Sequence, residues 1–278
     1  FVDKNVAYSN GSVVPVNISI TGVSLGGSDA ANYQVVDGNG TATTTGSTSA
    51  TITQKLLTAA LVGSIQKTYD GDTIATLNTG NYSLSGFVTV GGVTEGATVT
   101  QTVGTYNDRN VSLANSVSTT LASGDFTADN GTTLSNYTLP TSASGAIGTI
   151  SKAPLSVTAS NTSKTYDGAV FLGGNGVTYS GFVNNETTAA LGGTLGYAGS
   201  SQNAKNVGNY VITPNGLTSA NYSVNFVDGS LTISPAGLNA IVASLTGSTS
   251  KVYDGNTVAT LTPGNFAFSG FVAGEGAS

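Results

Sequence analysis

Apolar side chains recur at every second position in short bursts along the chain, as at Val16, Ile18 and Ile20, at Tyr82 and Leu84, at Val177 and Tyr179, and at Phe266 and Phe268. Alternation of this period describes strands with one buried face. It predicts strands near Val13 to Ile20 and Tyr33 to Val36, then at Thr73 to Leu77, Tyr82 to Val88, Ala97 to Thr105, Ser112 to Leu121 and Tyr137 to Ile150. Further strands are predicted at Pro154 to Ala159, Tyr210 to Ile212, Tyr222 to Val227 and Ser230 to Ile233. The run Leu56, Leu57, Leu61, Val62 and Ile65 suits helix as well as strand. It is read as strand because its counterpart, Pro154 to Ala159, carries β-branched residues in alternation. Asp37-Gly38-Asn39-Gly40 reads as a turn and Asp228-Gly229 as a hairpin turn.

The strands are punctuated by words that repeat in a fixed order. Lys-x-Tyr-Asp-Gly stands at Lys67, Tyr69, Asp70 and Gly71, again at Lys164, Tyr166, Asp167 and Gly168, and again at Lys251, Tyr253, Asp254 and Gly255. Ser-Gly-Phe follows each, at Ser85-Gly86-Phe87, Ser180-Gly181-Phe182 and Ser269-Gly270-Phe271. Later come Asn-Val at Asn5-Val6, Asn110-Val111 and Asn206-Val207, an Asn-Tyr pair at Asn32-Tyr33, Asn136-Tyr137 and Asn221-Tyr222, and a closing Thr-Ile. An order kept over such a period signals strung modules, not one large domain. The frame gives complete units at 54–151 and 152–234, the late part of a unit at 1–53 and the early part at 235–278. Two accounts fit the split unit: a window on a longer tandem chain, or pairing of the closing half of one copy with the opening half of the next. The predicted fold is all-β, tandem β-sandwich modules set end to end as a rod, since junctions such as Ser151-Lys152-Ala153-Pro154 are too short for free linkers.

Composition limits the chemistry. Acids outnumber bases 14 to 8 with a pI near 4.3, so neither nucleic acid nor an anionic membrane surface is an expected partner. No apolar run is long enough to span a bilayer. His and Cys are absent, which removes the commonest general bases and nucleophiles, so the chain is not expected to be an enzyme. Glu95, Glu186 and Glu275 follow Gly-Phe-Val in all three units and are read as solvated loop acids. No cofactor is called for. Calcium is admitted only where Asp70 joins Asp72, or Asp129 joins Asn130, and further oxygens converge.

Lys67 to Gly71 and the Thr51-Ile52 ending resemble the bacterial YDG repeat, and Pro154 to Val157 through Leu231 to Pro235, with Val207 to Tyr210 and Asn221 to Val224, is similar to the related MBG repeat. The resemblance covers essentially the whole chain. It implies Ig-like modules of large secreted or surface-attached bacterial adhesins, similar to filamentous haemagglutinin, with no catalytic residues to carry over. The expected role is a semi-rigid spacer or filament-building array, extracellular or at the cell surface, with neighbouring modules as partners and lateral self-association as a further route. The competing reading is a module that binds a glycan or a host protein.

Two readings of the Lys-x-Tyr-Asp-Gly word follow from its chemistry. In the first, tyrosine packs at a sheet edge while the aspartate accepts nearby amides and glycine takes positive φ. In the second, Lys67, Lys164 and Lys251 join Asn32, Asn136 and Asn221 and an acid in an intramolecular amide crosslink, which requires a buried, neutral lysine.

Overall fold

The computed structural model describes residues 1–129, 131–237 and 241–276, where the regular elements are β-strands and single-turn 3-10 segments. The protein is all-β. Its chain forms two compact units, one of residues 1–67 with 72–150, the other of residues 68–71 with 151–278.

In the first unit an antiparallel sheet runs in the order Ser142–Gly145, Val117–Thr120, Val103–Tyr106, Ile74–Thr76. Thr58–Leu61 pairs with Tyr82–Ser85 and Ala97–Val99 with Phe126–Ala128, both antiparallel, while Lys55–Leu56 lies parallel to Tyr137–Thr138. The stretch that suited either helix or strand is extended, with Leu57, Leu61 and Ile65 buried and Leu56 and Val62 exposed. Leu77, Val99, Tyr106, Val117 and Phe126 complete the core against them. Residues 1–53 add the pair Val16–Ile20 with Gly46–Ala50 and a hairpin, Ala7–Ser9 with Ser12–Val14. That hairpin turns at Asn10-Gly11, both at positive φ, the conformation that matches the twist of the flanking strands.

The second unit is built on two sheets. In one, Ala153–Ala159 lies between Val177–Ser180, antiparallel to it, and Tyr222–Val227, parallel to it. In the other, Thr162–Thr165, Gly229–Ser234, Gly208–Thr218 and Gly192–Ala198 lie side by side in that order, the first two parallel. Strict alternation explains the core: Ala153, Leu155, Val157 and Ala159 are buried on the first sheet, and Ile212, Leu231 and Ile233 on the second. Val242–Leu245 pairs with Phe266–Ser269 in the last stretch, where the apolar side chains of both strands stay largely exposed.

The Ser-Gly-Phe word has one structural job in all three places. Its serine ends a strand laid against an early strand of its repeat, Ser85 opposite Thr58, Ser180 opposite Ser156 and Ser269 opposite Val242. The glycine then leaves the ladder at positive φ. A Cβ on Gly181 would stand 2.4 Å from the Pro154 carbonyl oxygen, and one on Gly86 2.6 Å from that of Leu56, so no other residue fits without moving the backbone.

Several expectations change. The stretch read as one strand at Ala97 to Thr105 divides into Ala97–Val99 and Val103–Tyr106, which join different sheets, and that at Tyr137 to Ile150 divides into Tyr137–Thr138, Ser142–Gly145 and Gly148–Ser151, because each piece pairs with a different partner strand. No strand forms at Tyr33 to Val36, where ladder contact is the bridge from Val36 to Ala42; the Tyr33 amide bonds back to the Ala30 carbonyl in a local turn, and the Val35 carbonyl accepts from the Thr43 amide beside the bridge. The strand read at Ser112 to Leu121 shortens to Val117–Thr120, because the Asn107 side chain accepts from the amides of Asn115 and Ser116 and holds what precedes it as a loop. Asp228-Gly229 is no hairpin turn, since Tyr222–Val227 and Gly229–Ser234 belong to different sheets. Gly229 is needed there for close approach: a Cβ would come 2.6 Å from the Ala159 carbonyl oxygen.

Candidate functional site

Each Lys-x-Tyr-Asp-Gly word folds into a turn closed by its own lysine. The ammonium donates to the backbone carbonyl five residues on, from Lys67 to Asp72, Lys164 to Ala169 and Lys251 to Asn256, at 3.0, 2.9 and 2.6 Å. It also pairs with a turn carboxylate: Asp72 at 2.6 Å, Asp167 at 2.7 Å and Asp254 at 2.8 Å. These contacts, led by the bond from lysine, hold the carboxyls of Asp72, Asp167 and Asp254 below the usual aspartate range. Gly71, Gly168 and Gly255 all take positive φ. Lys67 also lies over the Tyr106 ring, 5.5 Å from its centroid.

The tyrosines lead to a cluster built within the second unit, to which residues 68–71 belong. Glu186 accepts two phenol hydroxyls at once, Tyr69 on Oε1 and Tyr222 on Oε2, each at 2.6 Å. Tyr69 is 2% exposed and Tyr222 1%. Their rings meet edge to face with centroids 5.5 Å apart, and Phe182 of the Ser-Gly-Phe word meets Tyr222 in the same manner at 5.5 Å. The Val183 amide donates to the Tyr222 hydroxyl, and the Glu186 amide donates back to the Val183 carbonyl, which closes the loop carrying the acid. Gly71 sits so near Asn184 that a Cβ there would fall 2.6 Å from the asparagine Cβ, and Asn184 Nδ2 donates to the Gly71 carbonyl.

The same parts recur elsewhere. In the first unit Tyr137 donates to Glu95 Oε2 at 2.5 Å, Phe87 meets Tyr137 edge to face at 5.2 Å, the Val88 amide donates to the Tyr137 hydroxyl, and the Glu95 amide to the Val88 carbonyl. At the other end of the second unit Tyr166 donates to Glu275, which Lys205 also approaches at 3.1 Å. Glu95, Glu186 and Glu275, read as solvated loop acids, are therefore tyrosine acceptors. Their recurrence after Gly-Phe-Val was the signal; what sequence withheld was the donor, because each tyrosine lies far along the chain from its acid.

The residues considered for a crosslink stand elsewhere. The three lysines occupy their own turns. The Asn136 side chain instead accepts from the Val6 amide and donates to Asn5 Oδ1, each at 2.8 Å. Asn32 closes a 3-10 turn on the surface, and Asn221 gives its backbone carbonyl to the Ala153 amide. Of the oxygens weighed for calcium, Asp72 is held by Lys67 and the Ile74 amide, Asp129 takes the Thr98 hydroxyl, and Asn130 lies outside the described residues. Among the described residues no three acids gather at one point.

Burial first, and then the bond to glutamate, pushes the hydroxyls of Tyr137 and Tyr222 above the usual tyrosine value; burial raises Tyr82 as well. In the unfolded chain these groups ionise near 10.0, whereas in the folded chain they stay neutral to higher pH. Folding therefore retains their contribution below that value and loses it as pH rises through the folded values. Urea midpoints are expected to hold level to about pH 9.5 and to fall beyond it, with a late fraction of phenolate in spectrophotometric titration. Simultaneous ionisation of all tyrosines near 10.0, with no loss of stability, would contradict this.

Comparison with known families gives residues 53–145 as a YDG domain and residues 155–232 as an MBG domain (YGX type). No curated protein and no solved structure matches the chain.

Proposed function

We propose, for a chain that carries a YDG domain followed by an MBG domain, that it serves as a structural repeat region of a bacterial extracellular adhesin or fibre, a semi-rigid spacer of Ig-like sandwiches set end to end. The domain types support an adhesin-type repeat. One observation supports the mechanical part: residues 68–71, within the stretch matched as a YDG domain, belong to the second compact unit, where Tyr69 is buried on Glu186. No helix of the described residues is long and apolar enough to cross a membrane.

Small-angle scattering tests the reading. A compact chain of this length has a radius of gyration of about 19 Å. The spacer requires a clearly larger value that stays constant as salt is varied, together with a pair-distance distribution skewed toward long distances. A value near that of a single globule would remove it.

A further inference from the structure

Oxidation of this chain has few places to end. It contains no Cys, Met, Trp or His, so tyrosine is the most readily oxidised side chain left to it. Taking one electron from a phenol also sets free its proton, so a phenol that already donates to a base oxidises at least cost. Tyr69 and Tyr222 meet that condition on a single base, each donating to Glu186 at 2.6 Å. Glu186 is itself only half-buried, which gives the proton a way out to water.

The two rings are also placed for what a phenoxyl radical does next. They meet edge to face with centroids 5.5 Å apart, and because both hydroxyls converge on one carboxylate, the ortho carbons beside them border the same small volume. Phe182 packs edge to face on Tyr222, and the two tyrosines are 2% and 1% exposed. A radical made there is shielded from solvent and from the tyrosines of other chains, with a second phenol at hand. The oxidant need not enter the cluster, since an electron leaves by tunnelling through the thin layer that covers it.

We propose that Tyr69 and Tyr222 form an oxidative crosslinking site, at which two equivalents of a one-electron oxidant join the rings as dityrosine. Each tyrosine gives one electron to the oxidant and its hydroxyl proton, by way of Glu186, to water. The two phenoxyl radicals combine in a bond between ortho carbons, and the hydrogens on those carbons move to the oxygens, which restores both phenols. Two hydrogens are lost in all, and two equivalents of oxidant are reduced. Tyr69 lies in the stretch matched as a YDG domain and Tyr222 in the MBG domain, so the bond ties one to the other. It closes the chain between positions 69 and 222, a constraint on the unfolded chain of the kind a disulfide supplies, in a chain without cysteine. This goes beyond the spacer reading and does not depend on it.

Mild oxidation of the whole chain in dilute solution tests it, with photogenerated ruthenium(III) tris-bipyridine as the oxidant and persulfate as the final electron acceptor. Trypsin cuts after Lys67, Arg109, Lys205 and Lys251, so the product is expected as peptide 68–109 joined to peptide 206–251, two hydrogens lighter than the sum, fluorescent as dityrosine, and formed in a yield independent of protein concentration. Tyr69→Phe and Tyr222→Phe, which keep the packing of the rings, should each abolish it. Glu186→Gln, checked for folding by circular dichroism, should slow it roughly 100-fold, the low end of what a positioned proton acceptor contributes. The same joined peptides from Tyr69→Phe would place the bond on other tyrosines and overturn the proposal. Oxidation that couples only exposed tyrosines of different chains, such as Tyr33 and Tyr253 at 72% and 94% exposure, would overturn it as well. So would an unchanged rate in Glu186→Gln, because the shared acceptor is what singles out these two phenols.

Discussion

Exchange of Glu186 for leucine is expected to cost the second unit about 3 kcal/mol, because two phenol hydroxyls lose their acceptor together and each orphaned buried group costs about 1–3 kcal/mol. Tyr69 and Tyr222 are both almost wholly buried, so water does not replace the lost bonds without opening the cluster. Glu95→Leu should cost the first unit roughly half as much, since one tyrosine depends on it there. Glu186→Gln, which retains one carbonyl acceptor, should fall between. Hydrogen exchange read by mass spectrometry gives the opening free energy of each unit separately, which a single unfolding curve of a two-unit chain does not. Equal losses for Glu186→Leu and Glu95→Leu would refute the double acceptor.

A second large loss is expected from Leu231→Ala. Leu231 is 0% exposed and packs with Ile212, Ile233 and Ala159, with Tyr166, Phe171, Tyr197 and Tyr210 around them. Truncation removes the transfer energy of the side chain and leaves a void that paired strands on both sides cannot close, at about 2–5 kcal/mol. Val227→Ala, at the end of the neighbouring strand and 38% exposed, should cost well under half of that. Local exchange protection across 208–234 is the readout, and near-identical losses at the two positions would mean that the sheets do not share a tightly packed core.

How much of this was legible beforehand follows from the range of each interaction. The strands at Ala153–Ala159 and Tyr222–Val227 were read correctly because burial imprints alternation on the local sequence. The repeated words were visible because they are contiguous. Which strand pairs with which was not, and Asp228-Gly229 shows why: Asp-Gly is the usual mark of a hairpin, whereas here glycine admits the Ala159 carbonyl from another strand, a contact that no neighbour in sequence reveals. The acceptor role of Glu186 was hidden for the same reason, its two donors lying at positions 69 and 222. Only the reappearance of an acid after each Gly-Phe-Val marked it as something other than surface charge.

The parallel pairing that closes the MBG domain bears on how it responds to load. Thr162–Thr165 runs alongside Gly229–Ser234, and Ala153–Ala159 alongside Tyr222–Val227, so strands near the two ends of the domain lie side by side and point the same way. Tension applied to the ends then slides these strands lengthwise past one another. All the hydrogen bonds of a ladder resist at once, whereas a hairpin pulled apart from its open end would release them one by one, like a zip. A domain wired this way is expected to yield at a high force after little extension, which is what the spacer role proposed above asks of it.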